Sequence, residues 1–146
     1  LLYVPMAGET PETTKVVAPV AEVLVSFAGN PAAGEFVEHI RFEDVSFAHT
    51  NFAVPENGIK DDQAAYPTNA AIMGVGAHHV TLERCTITQT SNYGVWFGTG
   101  CRYNRVGNSR LHHLGAGGVR FGHMSEGATE HERASHNTVE NCFIYD

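Results

Sequence analysis

The chain has 146 residues, 42% of them hydrophobic, which is enough for one domain with a buried core and argues against disorder. Its formal net charge is −7 and its 9 lysines and arginines are scattered, so nucleic acid and anionic membranes are poor candidates as partners. No apolar run approaches the roughly 18 residues of a membrane-spanning helix, so the sequence predicts no membrane span.

Residues 1–38 fit the repeat of the following part of the chain poorly. Their stretches LLYVPMAGE and VVAPVAEVLVSF are typical of strands that lead into a domain or join it to a preceding part. We therefore expect a boundary at residue 38, with the repeats in residues 39–146. The apolar final stretch NCFIYD indicates an interrupted strand, so we expect a piece of a longer polypeptide whose remainder packs against this chain.

The second part of the chain repeats one pattern four times. The matching segments are HIRFEDVSF from His39, HVTLERCTI from His79, YNRVGNSRL from Tyr103 and HNTVENCFI from His136. Within each segment the alternation has a period of two, which is typical of strands, and two short strands flank a corner. A third strand is predicted at AIM, VWF and VRF, which begin at residues 71, 95 and 119.

Three short strands cannot bury their own apolar face, but stacked coils can. Each strand then pairs in parallel with its counterpart about 4.8 Å away, and equivalent residues form columns inside the coil. The sequence therefore predicts an all-β fold, a parallel β-helix with three short strands per coil. A β-sandwich is the alternative, although a sandwich does not require similarity column by column.

The spacing between repeats locates two insertions. Val80 and Asn104 are 24 residues apart, whereas the preceding interval is 40 residues and the following one is 33. The surplus falls in residues 51–69 and in residues 123–133, which are polar or turn-rich and are expected to form side loops.

Several polar columns have a structural interpretation. Asn104 and Asn137 share one column, and stacked amides can hydrogen-bond along the coil axis. The recurrence of His39, His79 and His136 at one position favours a corner role, and not a metal site. No Cys-x-x-Cys pair or zinc-like spacing is present, so neither a metal nor another cofactor is predicted.

Cysteine spacing predicts free thiols. Cys85 and Cys142 share a column with Ser109 between them, so they should lie two coils, about 9–10 Å, apart. A disulfide requires Cα atoms within about 7 Å. With Cys101, we expect three free thiols, two of them buried.

One outward row of side chains is the candidate ligand site. If Val95 and Phe97 point inward, then Trp96 points outward, and the same phase gives a row of Ile72, Trp96 and Arg120. An exposed indole can stack on a sugar ring, and a guanidinium can bind hydroxyls or a uronate carboxylate. The alternative is that the neighbouring loop covers Trp96.

Other candidates border this row. Tyr93 and Asn92 are expected at its edge as hydrogen-bonding groups, and the loop that contains Asp61 and Asp62 is expected to lean over it. Asp44 and Glu83 fall at short corners, where a solvated turn is expected. Calcium-dependent lyase chemistry is poorly supported, because the row offers no cluster of aspartates.

The chain also resembles a known family. The similar stretches are LLYVPMAGE, AEVLVSFAG, IRFEDVSFAHTNF, HVTLERCTI, HHLGAGGVRFG and HNTVENCFIYD. They resemble the right-handed parallel β-helix proteins of bacterial polysaccharide degradation, and most closely glycoside hydrolase family 141. In that family the paired catalytic acids lie in later coils near DMGG and TDEGS motifs, which this chain lacks, so the resemblance transfers no catalytic residue.

The resemblance implies a truncated right-handed β-helix that forms the scaffold and part of the groove of a glycoside hydrolase. It also implies a plant or microbial oligo- or polysaccharide as ligand and an extracellular or periplasmic location. The segment alone is not expected to hydrolyse a glycoside. A non-catalytic carbohydrate-binding or adhesin-like β-helix, or a polysaccharide lyase, is the alternative.

Overall fold

A computed structural model describes residues 3–10, 12–60, 65–123 and 129–146. Within them, fourteen short strands alternate with corners, and two single-turn 3-10 helices lie at Pro31–Ala33 and Glu130–Glu132. The strands are β1 Val25–Ala28, β2 Val37–Glu38, β3 Arg41–Glu43, β4 Ser46–Ala48, β5 Ala70–Val75, β6 Ala77–His78, β7 Thr81–Glu83, β8 Thr86–Thr90, β9 Tyr93–Phe97, β10 Arg105–Gly107, β11 Arg110–Leu114, β12 Val119–Phe121, β13 Thr138–Glu140 and β14 Phe143–Tyr145.

The strands form three four-stranded sheets and one two-stranded sheet. Sheet I has the order β1-β5-β9-β12, sheet II the order β13-β10-β7-β3, and sheet III the order β14-β11-β8-β4; β2 pairs with β6. Every strand pair is parallel, so the chain passes from sheet to sheet and returns one level further on. This is a parallel β-helix of four coils, and the predicted fold class is confirmed.

The first coil begins before the repeats that the sequence revealed. β1 and β2 lie within residues 1–38, for which strands leading into the coil are predicted. They pair in parallel with β5 and β6, and Val25 lies beside Ile72 in sheet I. Residues 25–38 therefore belong to the coil stack. The first predicted insertion falls between β4 and β5, and the second follows β12.

Left-handed corner residues set the shape of each coil. In the first coil, His39, Asp44 and His49 have φ values of 58°, 57° and 66°, at intervals of five residues. The same positions in the next two coils are also left-handed, at His79, Arg84, Gln89, Tyr103, Asn108 and His113. This conformation costs about 1–2 kcal/mol for a non-glycine residue, so the stacking between coils must offset it.

The predicted corner role of the histidines is confirmed by an external stack of four rings. The centroids of His39 and His79 are 4.9 Å apart, those of His79 and Tyr103 are 5.2 Å apart, and those of Tyr103 and His136 are 4.7 Å apart. Each ring covers the face of its neighbour, so the ladder joins all four coils along one edge.

The interior consists of apolar columns in the predicted register. Leu82 lies between Phe42 and Val106, and Ile87 lies between Phe47 and Leu111. The fully buried side chains are concentrated in the two middle coils; by size they include Phe97, Ile72, Leu82, Ile87, Leu111, Val80, Val95 and Val106.

The asparagine ladder is also confirmed. Asn104 Nδ2 donates to Asn137 Oδ1 at 2.9 Å and to the Ala77 carbonyl at 2.8 Å, while its Oδ1 accepts from the Val80 N–H at 2.9 Å. Asn137 Nδ2 in turn donates to the Cys101 carbonyl at 2.9 Å. The side-chain amides therefore satisfy backbone groups of the adjacent coils.

All three thiols are free in the structure, as predicted, with Cys85 and Cys101 buried and Cys142 half-buried. Burial raises the pKa of the Cys101 thiol to about 11, and it also raises the pKa of the Cys85 thiol.

Because the thiolate is the reactive form of cysteine, iodoacetamide at neutral pH is expected to label Cys142 first and Cys101 last. Mass spectrometry of the native chain over time checks this order, and an intrachain Cys85–Cys142 bridge would contradict the register.

Candidate functional site

The outward row on sheet I differs from the predicted one at a single position. Trp96 lies beside Arg120 in the register, as predicted, but its partner on the other side is Met73. Ile72 pairs with Val95 and is fully buried, so its predicted outward position is wrong. A shift of one residue moves a strand side chain to the opposite face. The row on this face therefore consists of Met73, Trp96 and Arg120.

Arg120 is the centre of an aromatic cluster. Its guanidinium carbon lies 4.1 Å from the centroid of the Trp96 ring, 4.8 Å from that of Tyr66 and 5.7 Å from that of Tyr93. Its Nη1 also donates to the Tyr66 carbonyl at 2.8 Å. Cation–π contacts of this kind fix the planar guanidinium and leave its remaining N–H groups as donors.

Trp96 is half-buried, because residues at the start of the second insertion pack on it. Its Nε1 donates to the Gly122 carbonyl at 2.7 Å, and its ring stacks on His123 with centroids 6.0 Å apart. The indole thus packs against the neighbouring loop, which is the alternative that the sequence left open. Only part of the indole surface is therefore open to solvent at this position.

Two members of the cluster, Tyr66 and His123, were not among the predicted site residues. Tyr66 Oη lies 3.4 Å from His123 Nε2, so the two insertions meet above sheet I. The signal was available in part, because the insertions flank this face and each contains an aromatic side chain. We call the set Tyr66, Tyr93, Trp96, Arg120 and His123 the Arg120 cluster.

The remaining predicted site residues have different environments. Tyr93 is half-buried and belongs to the Arg120 cluster. Asn92 is only 3% exposed, and its side-chain nitrogen has no hydrogen-bond partner within the described part of the chain, so it does not offer its amide to the outer face. Asp61 and Asp62 lie outside the described residues.

Carboxylates on the outer face of sheet II are neutralised by arginines. Arg84 binds both Glu43 and Asp44, and Arg105 bridges Glu83 to Glu140, whose Oε1 is 2.7 Å from the Arg105 Nε. Asp44 is exposed, as a solvated corner should be. Glu83 is only 6% exposed, so the solvated turn predicted for it is wrong: Arg105 and Asn108 cover it.

The hydrogen bonds to Glu43 and Glu83 favour the ionised forms of these two carboxyl groups. Hydrogen bonds from Arg41 and Arg84 lower the pKa of Glu43 from 4.5 to about 2. Hydrogen bonds from Arg105 and Asn108 lower the pKa of Glu83. A general acid in glycoside hydrolysis needs a raised pKa, so neither group is suited to that role.

Acid is expected to destabilise the chain between about pH 4.5 and pH 2 through Glu43. Because its folded pKa is depressed, the ionised form stabilises the fold above the ordinary pKa of 4.5, and this contribution is lost as the pH falls towards 2. Urea midpoints measured across this range should fall less steeply for Glu43→Gln than for the unsubstituted chain. Glu56→Gln, in the exposed first insertion, is the control, and parallel curves for all three proteins would contradict the role of Glu43.

Among the described residues, no group of three or more His, Cys, Asp or Glu side chains gathers in an arrangement that could hold a metal ion. In the same residues, no helix has the length and apolarity that crossing a bilayer requires.

The stacked parallel coils place the chain in the class of β-helix repeat proteins. A family model described as "Right handed beta helix region" matches residues 38–146, and the chain belongs to this family. No curated protein and no solved structure gives a significant match. A β-helix of this kind fits a carbohydrate-active or adhesin-like scaffold, whereas the narrower resemblance to glycoside hydrolase family 141 stays a prediction.

Proposed function

We propose that this chain forms the scaffold and part of the substrate groove of an extracellular or periplasmic glycoside hydrolase that acts on plant or microbial polysaccharide. The observation that supports this most is the Arg120 cluster, in which two insertions meet over one sheet and surround a guanidinium with aromatic rings. Aromatic faces with a few fixed donors are typical of a site that binds sugars.

This geometry supports three kinds of contact with the proposed substrate. Arg120 supplies N–H groups to ring hydroxyls, Tyr93 and Tyr66 supply phenol groups, and Trp96 holds the guanidinium in place. Asp61 and Asp62 are proposed to approach the same groove from the first insertion. Trp96 thus acts on the ligand chiefly through the position of Arg120.

Replacing Arg120 with glutamine is expected to weaken binding of a responsive polysaccharide about tenfold, because the charged donor is lost. Affinity electrophoresis against xylan, cellulose derivatives and pectin measures this. Arg133→Gln, which removes an exposed arginine outside the cluster, is the matched control. Equal affinity of Arg120→Gln and the unsubstituted chain, with both folded by circular dichroism, would contradict the site.

A non-catalytic carbohydrate-binding or adhesin-like β-helix is the second candidate. The ion-paired state of Glu43 and Glu83 favours it, since these carboxylates are held ionised. An assay for release of reducing ends from a bound polysaccharide distinguishes the two candidate functions. Binding without release supports the non-catalytic candidate for this chain. Release that is lost when an acidic residue of this chain is substituted would show that the catalytic acids lie within these 146 residues.

A further inference from the structure

A second polar cleft lies away from the Arg120 cluster, on the outer side of the corner between sheets II and III. It has a volume of about 500 Å³ and is lined by Asn108, Arg110, Asn141, Cys142 and Phe143. Small-ligand sites fall in the range of about 300–1,000 Å³. We call it the Phe143 cleft.

In β11 and β14, the alternation of side chains places basic and aromatic residues next to each other on the outer face of sheet III. Leu111 is fully buried and pairs with Ile144, so Arg110 and His112 face outward beside Phe143 and Tyr145. β14 is the last described strand, where the inward-facing Ile144 is also 48% exposed, so the outward direction of Phe143 and Tyr145 rests on the register. The Phe143 ring faces the Arg110 guanidinium, and the Tyr145 ring stacks on His112 with centroids 5.2 Å apart.

The polar groups at the cleft are free to bind. The guanidinium carbon of Arg110 lies 6.0 Å from the centroid of the Phe143 ring, and Arg110 has no carboxylate partner among the described residues, unlike the ion-paired Arg84 and Arg105. The side-chain amide of Asn141 likewise has no hydrogen-bond partner within the described ranges. Asn108 uses its Nδ2 on Glu83 at 2.6 Å, which leaves its carbonyl oxygen as an acceptor.

This combination selects a class of ligand. An exposed ring packs against the C–H face of a pyranose, while a guanidinium and two side-chain amides bind its hydroxyls from the side. One unpaired arginine on a chain of net charge −7, with Glu140 next to Asn141, disfavours a polyanion. A protein partner would need about 800 Å² of complementary surface, which this polar cleft does not offer.

We propose that the Phe143 cleft is a second binding site, for a neutral oligosaccharide, separate from the Arg120 cluster. The site does not depend on the proposed function, because it uses a different face and no catalytic group. Its role would be to hold one segment of a polysaccharide chain on the outside of the coil.

The test is a titration of the ¹⁵N-labelled full chain with xylohexaose, cellohexaose and a galacturonic acid hexamer, followed by amide chemical shifts. We expect saturable shifts in residues 108–112 and 141–145 with a neutral hexasaccharide. Phe143→Ala and Arg110→Gln should each weaken this binding about tenfold. Phe143→Leu, which keeps the apolar bulk but not the ring, should weaken it similarly, and Tyr3→Ala, an exposed aromatic outside the coils, should not.

Four results would overturn the proposal. One is the absence of shifts with both neutral sugars, and a second is tighter binding of the galacturonate hexamer. A third is a set of shifts confined to the region of Arg120, which would support the proposed function and exclude the second site. The fourth is broadening of the cleft resonances with protein concentration alone, which would indicate contact between copies of the chain.

Discussion

Replacing Phe97 with alanine is expected to lower the free energy of unfolding by about 3–5 kcal/mol, or roughly 10 °C in Tm for a chain of this size. Phe97 is fully buried and is the largest such side chain among the residues that the structure describes. Its column contains Gly74 on one side and Phe121 on the other, and the two phenyl rings stack with centroids 6.3 Å apart. Gly74 has no side chain that could fill the space left by the ring.

The same column provides a matched control. Phe121 is 41% exposed, so Phe121→Ala removes the same ring with about half the burial and should cost about 1–2 kcal/mol. Phe97→Leu keeps most of the volume and should cost less than about 1.5 kcal/mol. Urea denaturation of the three variants measures these differences. Equal losses for the two alanine variants would show that the interior is not ordered around the middle coils.

The column pattern made the fold predictable from one sequence. A column position must suit the interior of every coil, so its chemistry repeats, as at Phe47, Ile87, Leu111 and Ile144. The pattern did not predict which side chains of β5 point inward, because Ala70, Ala71 and Ile72 are all apolar and show no alternation. It also did not assign β1 and β2 to the coil stack, because the first coil lacks the regular 24-residue spacing.

The candidate site was predictable only where it lies on a strand. Trp96 and Arg120 follow from the phase of their neighbours Val95 and Val119, whose register is regular. Tyr66 and His123 lie in the insertions, which obey no period, and only the folded chain shows that they meet. Asn92 was misjudged because a turn residue between two strands can face the interior, where 3% of its surface remains exposed.

Coil stacking depends on polar columns as well as on apolar ones. Asn104 is 1% exposed, yet it satisfies the Val80 N–H and the Ala77 carbonyl, two backbone groups of the preceding coil. A buried backbone group without a partner costs about 1–3 kcal/mol, and the Asn104 amide supplies partners to both groups. A hydrophobic residue of similar size in place of Asn104 would leave both groups without that partner.

Asn104→Ala is therefore expected to lower the free energy of unfolding by about 2–4 kcal/mol, because it leaves two buried backbone groups unpaired and removes a partner of Asn137.

Asn104→Asp keeps the acceptor for the Val80 N–H but buries a carboxylate beside the Asn137 oxygen. Burial raises a carboxyl pKa, so this variant should lose further stability as the pH rises above about 4, which is opposite to the acid loss expected for Glu43.

Asn137→Ala is the matched control, since Asn137 is an amide in the same column but is half-buried. It accepts from the backbone N–H and the Nδ2 of Asn104 and donates to the Cys101 carbonyl. Water can reach these groups after the substitution, so the loss should be about 1 kcal/mol. Urea midpoints at pH 4 and pH 7 compare the three variants. A loss for Asn137→Ala as large as that for Asn104→Ala would mean that the hydrogen bonds between the side chains, and not the burial of the backbone groups, hold the coils together.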